Sequence, residues 1–369
     1  MKKTALFFLI IAFNIAGYCS ILIPMNSTQN DHLKAYGIVY NHLKEYGGKV
    51  AWLLNYKGGS FVIPSNTSEI ALAAAGVSYT KITEEQLEAI MATVSSENME
   101  RVWLEKAPKI AVFTPLVENS HNNMDTEPWD DAVILVLEYA DIPFDKIYID
   151  EVLEGKLADY EWVHLHHEDF TGQFGKFYAS FKTAAWYISH KNWLSDKAKQ
   201  YRMASVSQLM RSVSVKIAEY TSKGGFLFAM CSATDSIDVA LAALNTDIVP
   251  SEFDGTPVAA DHLAKLDYSL TFAFSGFIPE LSPDVYEFSD IDVSPYGARP
   301  ESGTEDFILF DFSAKQDPIP TMLCQSHEKL IHGFMGQTST FTMKRIKKTT
   351  VIMGFLKDMQ RAKYIYGGY

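Results

Sequence analysis

Apolar and polar positions change period several times along the chain, and each change marks a predicted element. Leu33, Tyr36, Val39, Tyr40 and Leu43 recur at intervals of three and four, the pattern of an amphipathic helix, and Gly47-Gly48 stops it. Val50 to Tyr56 and Ser60 to Ile63 are apolar runs that flank Lys57-Gly58-Gly59, the pattern of a hairpin. Ser68 to Ala75 is Ala-rich and predicts a helix, and Val77 to Ile82 predicts a strand. Thr83 then precedes Glu84-Glu85-Gln86 as a helix N-cap. Residues 21–103 form a small N-terminal α/β domain in this reading.

From Lys109 the pattern becomes one of buried strands alternating with helices. Ile110-Ala111-Val112-Phe113 is a strand stopped by Thr114-Pro115, Glu118 to Glu127 is a polar loop, and Trp129 to Tyr139 is a helix. Phe144 to Ile149 and Trp162 to His166 are the next strands. Val206 to Tyr220 is a long helix closed by Lys223-Gly224-Gly225. Phe226 to Met230 is a fourth strand, followed by Cys231 and an Ala-rich helix from Thr234 to Leu244. Such alternation predicts a parallel sheet with helices on both faces, and in such sheets the working crevice lies beyond the carboxyl ends of the strands. Residues 109–369 are taken as this domain. The stretches near 167–205 and 250–305 are read as loop-rich aromatic insertions over the strand ends.

The first twenty residues have a different character. Lys2 and Lys3 precede an apolar run from Ala5 to Ala16, broken only by Asn14. This predicts a secretory signal peptide over 1–20, too short for a stable membrane span. Ala16-Gly17-Tyr18-Cys19 departs from a lipoprotein box at Tyr18. The expected location is therefore periplasmic or extracellular, with lipidation at Cys19 as the alternative.

Composition narrows the function classes. Among 369 residues, 32 Lys and Arg face 45 Asp and Glu, for a net charge of −13. An acidic chain lacks the basic face that nucleic acid or anionic lipid requires. Three cysteines are too few for a disulfide scaffold. Cys231 and Cys324 remain open to pairing in an oxidising compartment. The Lys344-Arg345-Ile346-Lys347-Lys348 run is read as a solvated face.

The strongest chemical signal is Gly224 to Thr234, an apolar strand running into Cys231 with small residues opening a helix behind it. A thiol there sits at a sharp strand-to-helix turn, as in a nucleophile elbow. The helix N-terminus favours the thiolate, and the amide of Ser232 with its neighbours can hold an oxyanion. Ala229 and Ala233 stand where that motif carries glycine, and a packed core cysteine is the alternative. The second cluster is His164-Leu165-His166-His167-Glu168-Asp169, with two imidazoles on one strand face and three polar residues at its end. It reads as a general base or pocket lining, as a zinc site at His164 and His166, or as a polar strand end. His327-Glu328 is a weaker base-and-acid pair. Asp235 and Asp238, one turn apart, are read as compensating the helix dipole. The aromatics of Phe170 to Trp193 are either core packing or a sugar-stacking surface.

Several of these stretches together resemble one family. They are Ile21 to Met25, Trp52 to Tyr56, His164 to Gln173, Phe228 to Ser236, Tyr286 to Asp292 and Gly333 to Thr338. The family is a group of exported bacterial proteins commonly labelled asparagine synthetase B. The resemblance covers nearly the whole mature chain. It implies a central domain similar to class I glutamine amidotransferases, with a flavodoxin-like α/β fold and Cys231 at the nucleophile position. The label implies a glutamine-dependent synthetase, which uses an N-terminal Cys and a Ser-Gly-Gly-Leu-Asp-Ser pyrophosphate loop, and this chain has neither. Relatives continue with a further strand and a Gly-Gly-His-Asp-Pro-Glu-type segment, whereas this chain is read as stopping short of it at Tyr369. The catalytic base of such a fold then lies beyond Tyr369, or is replaced by His164, His166, His167 or His327.

The expectation is an exported thiol-dependent hydrolase or amidase, glutaminase-like, acting on a small molecule. Cys231 is its nucleophile and Ser232 its oxyanion donor. His166, His167 and Glu168 form the catalytic pocket, with His164, Asp169 and Asp235 around it. No metal or cofactor is expected. The competing expectations are a non-catalytic periplasmic protein that binds a small molecule or glycan, and a zinc hydrolase.

Overall fold

The computed structural model describes residues 19–64, 69–114, 132–292, 306–309, 315, 330–331, 340–356 and 361–366. The predicted signal peptide up to Tyr18, the loop from Glu118 to Glu127, Cys324 and His327-Glu328 lie outside the described residues. The chain divides into two compact units, Met1–Lys106 with Ser313–His327, and Ala107–Phe312 with Glu328–Tyr369.

Among the described residues the first unit is a five-stranded antiparallel sheet with three helices. Its elements are β1 (Ser20–Ile23), α1 (His32–Tyr46), β2 (Val50–Leu54), β3 (Ser60–Pro64), α2 (Glu69–Ala74), β4 (Thr80–Ile82), α3 (Glu84–Ser96) and β5 (Glu100–Leu104). The strand order is β4-β1-β3-β2-β5. The expected hairpin is β2–β3, with Ala51 opposite Val62 and Trp52 opposite Phe61. Its turn folds against the start of the unit, because a Cβ on Gly58 would meet the Met25 carbonyl oxygen at 2.5 Å. Thr83 caps α3 as predicted and forms a reciprocal capping box with Gln86, at 2.9 and 3.3 Å.

The second unit begins with a four-stranded, all-parallel sheet. Its elements are β6 (Ile110–Phe113), α4 (Ala132–Tyr139), β7 (Phe144–Ile147), α5 (Ile149–Leu153), β8 (Trp162–Leu165), α6 (Tyr178–Phe181), α7 (Ala185–Gln200), α8 (Val206–Ser222), β9 (Phe226–Ala229) and α9 (Ala233–Ala242). The order β7-β6-β8-β9 is 2-1-3-4 when the strands are counted within the sheet. β6 is buried along its whole length, which explains its unbroken apolar run. Gly224 closes α8 at φ +94°, and Gly225 carries no side chain because a Cβ there would strike the Tyr220 ring.

Three expectations need correction. The stretch near 167–205 is not loop-rich, since most of its second half is the sixteen-residue helix α7. Its apolar positions Tyr187, Leu194 and Ala198 share one buried face, a helical period masked by the density of aromatics around it. The chain after the parallel sheet also builds a second sheet, where the strand patterns around 322–324 and 331–334 predict isolated strands and no sheet. Short helices α10 (Ser251–Asp254) and α11 (His262–Lys265) lead to β10 (Phe307–Leu309), β11 (Leu330–Ile331), β12 (Phe341–Thr342), β13 (Val351–Leu356) and β14 (Arg361–Tyr366). These five strands are antiparallel in the order β11-β10-β13-β14-β12. Lastly, the basic run is not all solvated. Arg345 pairs with Asp290, and the Lys347 ammonium donates to the Thr271 carbonyl, so both tie down the chain that follows α11.

α9 lies between two cores. Ala233, Ile237, Ala240 and Leu241 pack with the helices of the parallel sheet. Val239, Ala242 and Ala243 pack with Phe274, Phe277, Phe288 and Phe341. A helix buried all round must have small side chains wherever neighbours approach closely, which accounts for its Ala content. Among the described residues no helix is long and apolar enough to cross a membrane.

Candidate active site

The two predicted clusters emerge side by side. β8 and β9 are parallel neighbours, with His164 opposite Phe228 and Leu165 opposite Ala229. The pairing runs one step further, because the Met230 N–H donates to the Leu165 carbonyl at 2.9 Å. Cys231 and the segment from His166 to Asp169 therefore leave the sheet from adjacent strands, at their carboxyl ends.

Cys231 has φ +52°. Non-glycine residues avoid this left-handed region at a cost of about 1–2 kcal/mol, and such strain gathers at functional turns. The turn is held from below by short bonds. The Ala233 N–H donates to the Met230 carbonyl at 3.2 Å, and the Thr234 N–H and hydroxyl donate to the Cys231 carbonyl at 3.1 and 2.7 Å. Ser232 is buried, and its N–H donates to no acceptor among the described residues. It is one of the donors that the first turn of a helix leaves over.

The β8 cluster divides into parts with different tasks. His164 is only 2% exposed and stacks on Phe228 at 5.5 Å, which places it in the core instead of the pocket. His166 and His167 are half-buried, with ring centroids 4.6 Å apart. The Glu168 carboxylate accepts the His166 backbone N–H at 2.9 Å. Asp169 holds the next turn together. It accepts the Thr171 N–H and hydroxyl at 2.7 and 2.6 Å and the Gly175 N–H at 3.0 Å. Asp169 keeps some surface as a residue, but its carboxyl is desolvated. Burial pushes it above the usual carboxylate range, against those hydrogen bonds.

The turn that Asp169 holds is strained. Gly172, Phe174, Gly175 and Lys176 all have positive φ. Gly172 is required, because a Cβ there would lie 2.6 Å from the backbone of Ser207 at the start of α8. Lys176 is buried, and its ammonium donates to the carbonyls of Glu280 and Ser282 at 3.0 and 2.9 Å.

A cleft of about 30 Å³ opens among His167, Glu168, Asp169, Gly172, Tyr148 and His190. That is room for one or two waters. Among the described residues Cys231 is not one of its walls. His190 escaped sequence reasoning. The available signal was its spacing from Tyr187 and Leu194, which places it on the inner face of α7. Ser236 was missed as well; its hydroxyl donates to the Glu168 carbonyl at 2.9 Å.

The two acids of α9 differ: Asp235 lies in the first turn, where the Asp235 and Ser236 N–H groups favour its charged form, whereas Asp238 lies beyond that turn and bonds elsewhere. Asp235 is 3% exposed, and its Oδ2 has no hydrogen-bond partner among the described residues. Burial pushes its carboxyl well above the usual range, and the nearby Asp292 and Asp169 push it further. Asp238 is an anchor whose carboxylate accepts the N–H groups of Phe272, Ala273 and Phe274 at 2.7, 2.9 and 2.9 Å.

Among the described residues no three His, Cys, Asp or Glu side chains converge as a metal site would require. The aromatics of the 170–193 stretch pack on one another. Phe177 meets Phe181 and Trp186 edge-on at 6.0 and 5.8 Å, the geometry of a core. No protein-family model, curated protein or solved structure matches this chain.

Proposed function

We propose that this protein is a thiol-dependent amide hydrolase built on a flavodoxin-like sheet, and that Cys231 is its nucleophile. The observation that carries the proposal is the left-handed backbone of Cys231 between β9 and α9, at the end of the strand that pairs with β8, after which come His166 and His167. The 2-1-3-4 strand order supports the flavodoxin-like assignment. The Lys2-Lys3 and Ala5 to Ala16 pattern supports export.

In this reading the Cys231 thiolate attacks the carbonyl carbon of a small amide. The Ser232 N–H donates to the oxyanion that forms. His166 or His167 then protonates the departing nitrogen, leaving a thioester on Cys231. The same imidazole takes a proton from water as the water attacks the thioester, and the acid leaves with the thiol restored.

The test is ammonia release from glutamine, asparagine and simple primary amides by the wild type and by Cys231→Ala. Loss of turnover by about a thousandfold or more in a folded variant is the expected outcome. Equal turnover in Cys231→Ala, or no turnover by the wild type on any amide, would remove the proposal.

A further inference from the structure

A serine inside a helix usually returns its hydroxyl to the carbonyl four residues back. Ser214 on α8 does so, donating to the Met210 carbonyl at 3.0 Å. Ser236 does not. It is completely buried in the first turn of α9, where its backbone N–H donates to the Ser232 carbonyl at 3.1 Å. Its hydroxyl crosses to the loop after β8, donating to the Glu168 carbonyl at 2.9 Å and accepting the Phe170 N–H at 3.4 Å.

One hydroxyl thus joins the helix that Cys231 opens to the loop that carries His166, His167 and Glu168. The same loop is held on its other side by the Asp169 turn and by the contact of Gly172 with Ser207. From this geometry we infer that Ser236 is a positioning residue, which sets the Cys231 turn against the imidazoles of the β8 loop. The inference rests on the assignment of Cys231 as the nucleophile.

The experiment is the iodoacetamide labelling rate of Cys231 against pH, read by peptide mass spectrometry on the full chain. A short unstructured cysteine peptide serves as reference. The wild type should label as a thiolate titrating below the free value of about 8.5. Ser236→Ala should move that midpoint toward the free value and slow labelling near neutral pH by about tenfold, one pKa unit. Ser214→Ala, which removes an equally buried hydroxyl with a local bond, should leave the profile in place. Ser236→Thr keeps the bridge and should restore the wild-type profile. It also carries the test if the alanine variant does not fold. A wild-type Cys231 that titrates like the reference peptide would overturn the nucleophile assignment itself. A depressed wild-type midpoint that persists in folded Ser236→Ala, or that Ser236→Thr abolishes, would overturn the role of Ser236 alone.

Discussion

Met230 donates its backbone N–H to the carbonyl of Leu165 at 2.9 Å, so β8 and β9 stay in register to the last residue before Cys231. The parallel pairing delivers the thiol and the imidazole loop to one end of the sheet. The turn must then reverse within a single residue, and Cys231 takes that reversal in its own backbone.

That strain is measurable. Cys231→Gly removes the clash of a Cβ at φ +52°, whereas Cys231→Ala keeps it. The glycine variant should be more stable than the alanine variant by about 1 kcal/mol, although glycine ordinarily weakens a structure. Urea unfolding of the two variants decides it, and a less stable glycine variant would show that the turn is unstrained.

Gly172 and Gly155 separate strain from crowding. Both have strongly positive φ, at +84° and +86°, but only Gly172 has backbone against its missing side chain. Gly155→Ala should cost about 1 kcal/mol. Gly172→Ala should cost about 2–4 kcal/mol, because the 169–176 turn must also lift from α8. Thermal melts of the pair should show the larger loss at Gly172.

Asp238 should make stability fall with rising pH. Burial pushes its carboxyl up to about 6, against three backbone N–H groups and the charge of Lys347. Between the ordinary value of 3.8 and about 6, the folded chain binds this proton more tightly than the unfolded chain. The stabilisation from that proton is fully present below the window and lost as pH rises through it. Asp238→Asn should remove this slope from urea unfolding free energies measured at about pH 4 and about pH 7. Asp238→Ala should cost about 2–4 kcal/mol by leaving three buried donors unpaired.

Lys176 has the opposite sign. Burial pushes its ammonium down to about 8, partly offset by the charges of Glu280, Asp169 and Glu287. The folded chain therefore releases this proton before the unfolded chain does. Stability should rise between about 8 and the ordinary value of 10.5. Lys176→Met should abolish that rise, which unfolding free energies taken at both ends of the window will show. A wild-type curve that is flat or falling there contradicts the prediction.

Much of the local structure was legible in the residues themselves. Capping at Thr83, the β2–β3 hairpin, the closure of α8 at Gly224 and the four parallel strands all follow from short-range chemistry, in which each signal and the element it specifies lie within a few residues. The strand-to-helix turn at Cys231 was also recognisable, because a strand, a small-residue turn and a helix are contiguous in the chain. The antiparallel sheet was not legible as a sheet, since some of its strands are as short as Leu330–Ile331 and its pairings join segments far apart in the chain, such as Phe307 with Leu356. Nor were the assignments of neighbouring polar residues. His164 and His166 look equivalent on one strand, and only the packing of Phe228 sends one into the core. Asp235 and Asp238 look equivalent on one helix, and only the chain after α11 makes one an anchor and leaves the other without a partner for Oδ2. Ser236 and His190 gain their roles from segments far away in sequence. Periodicity records which face of an element is buried, but the partner that a buried polar group meets is decided by the elements folded against it.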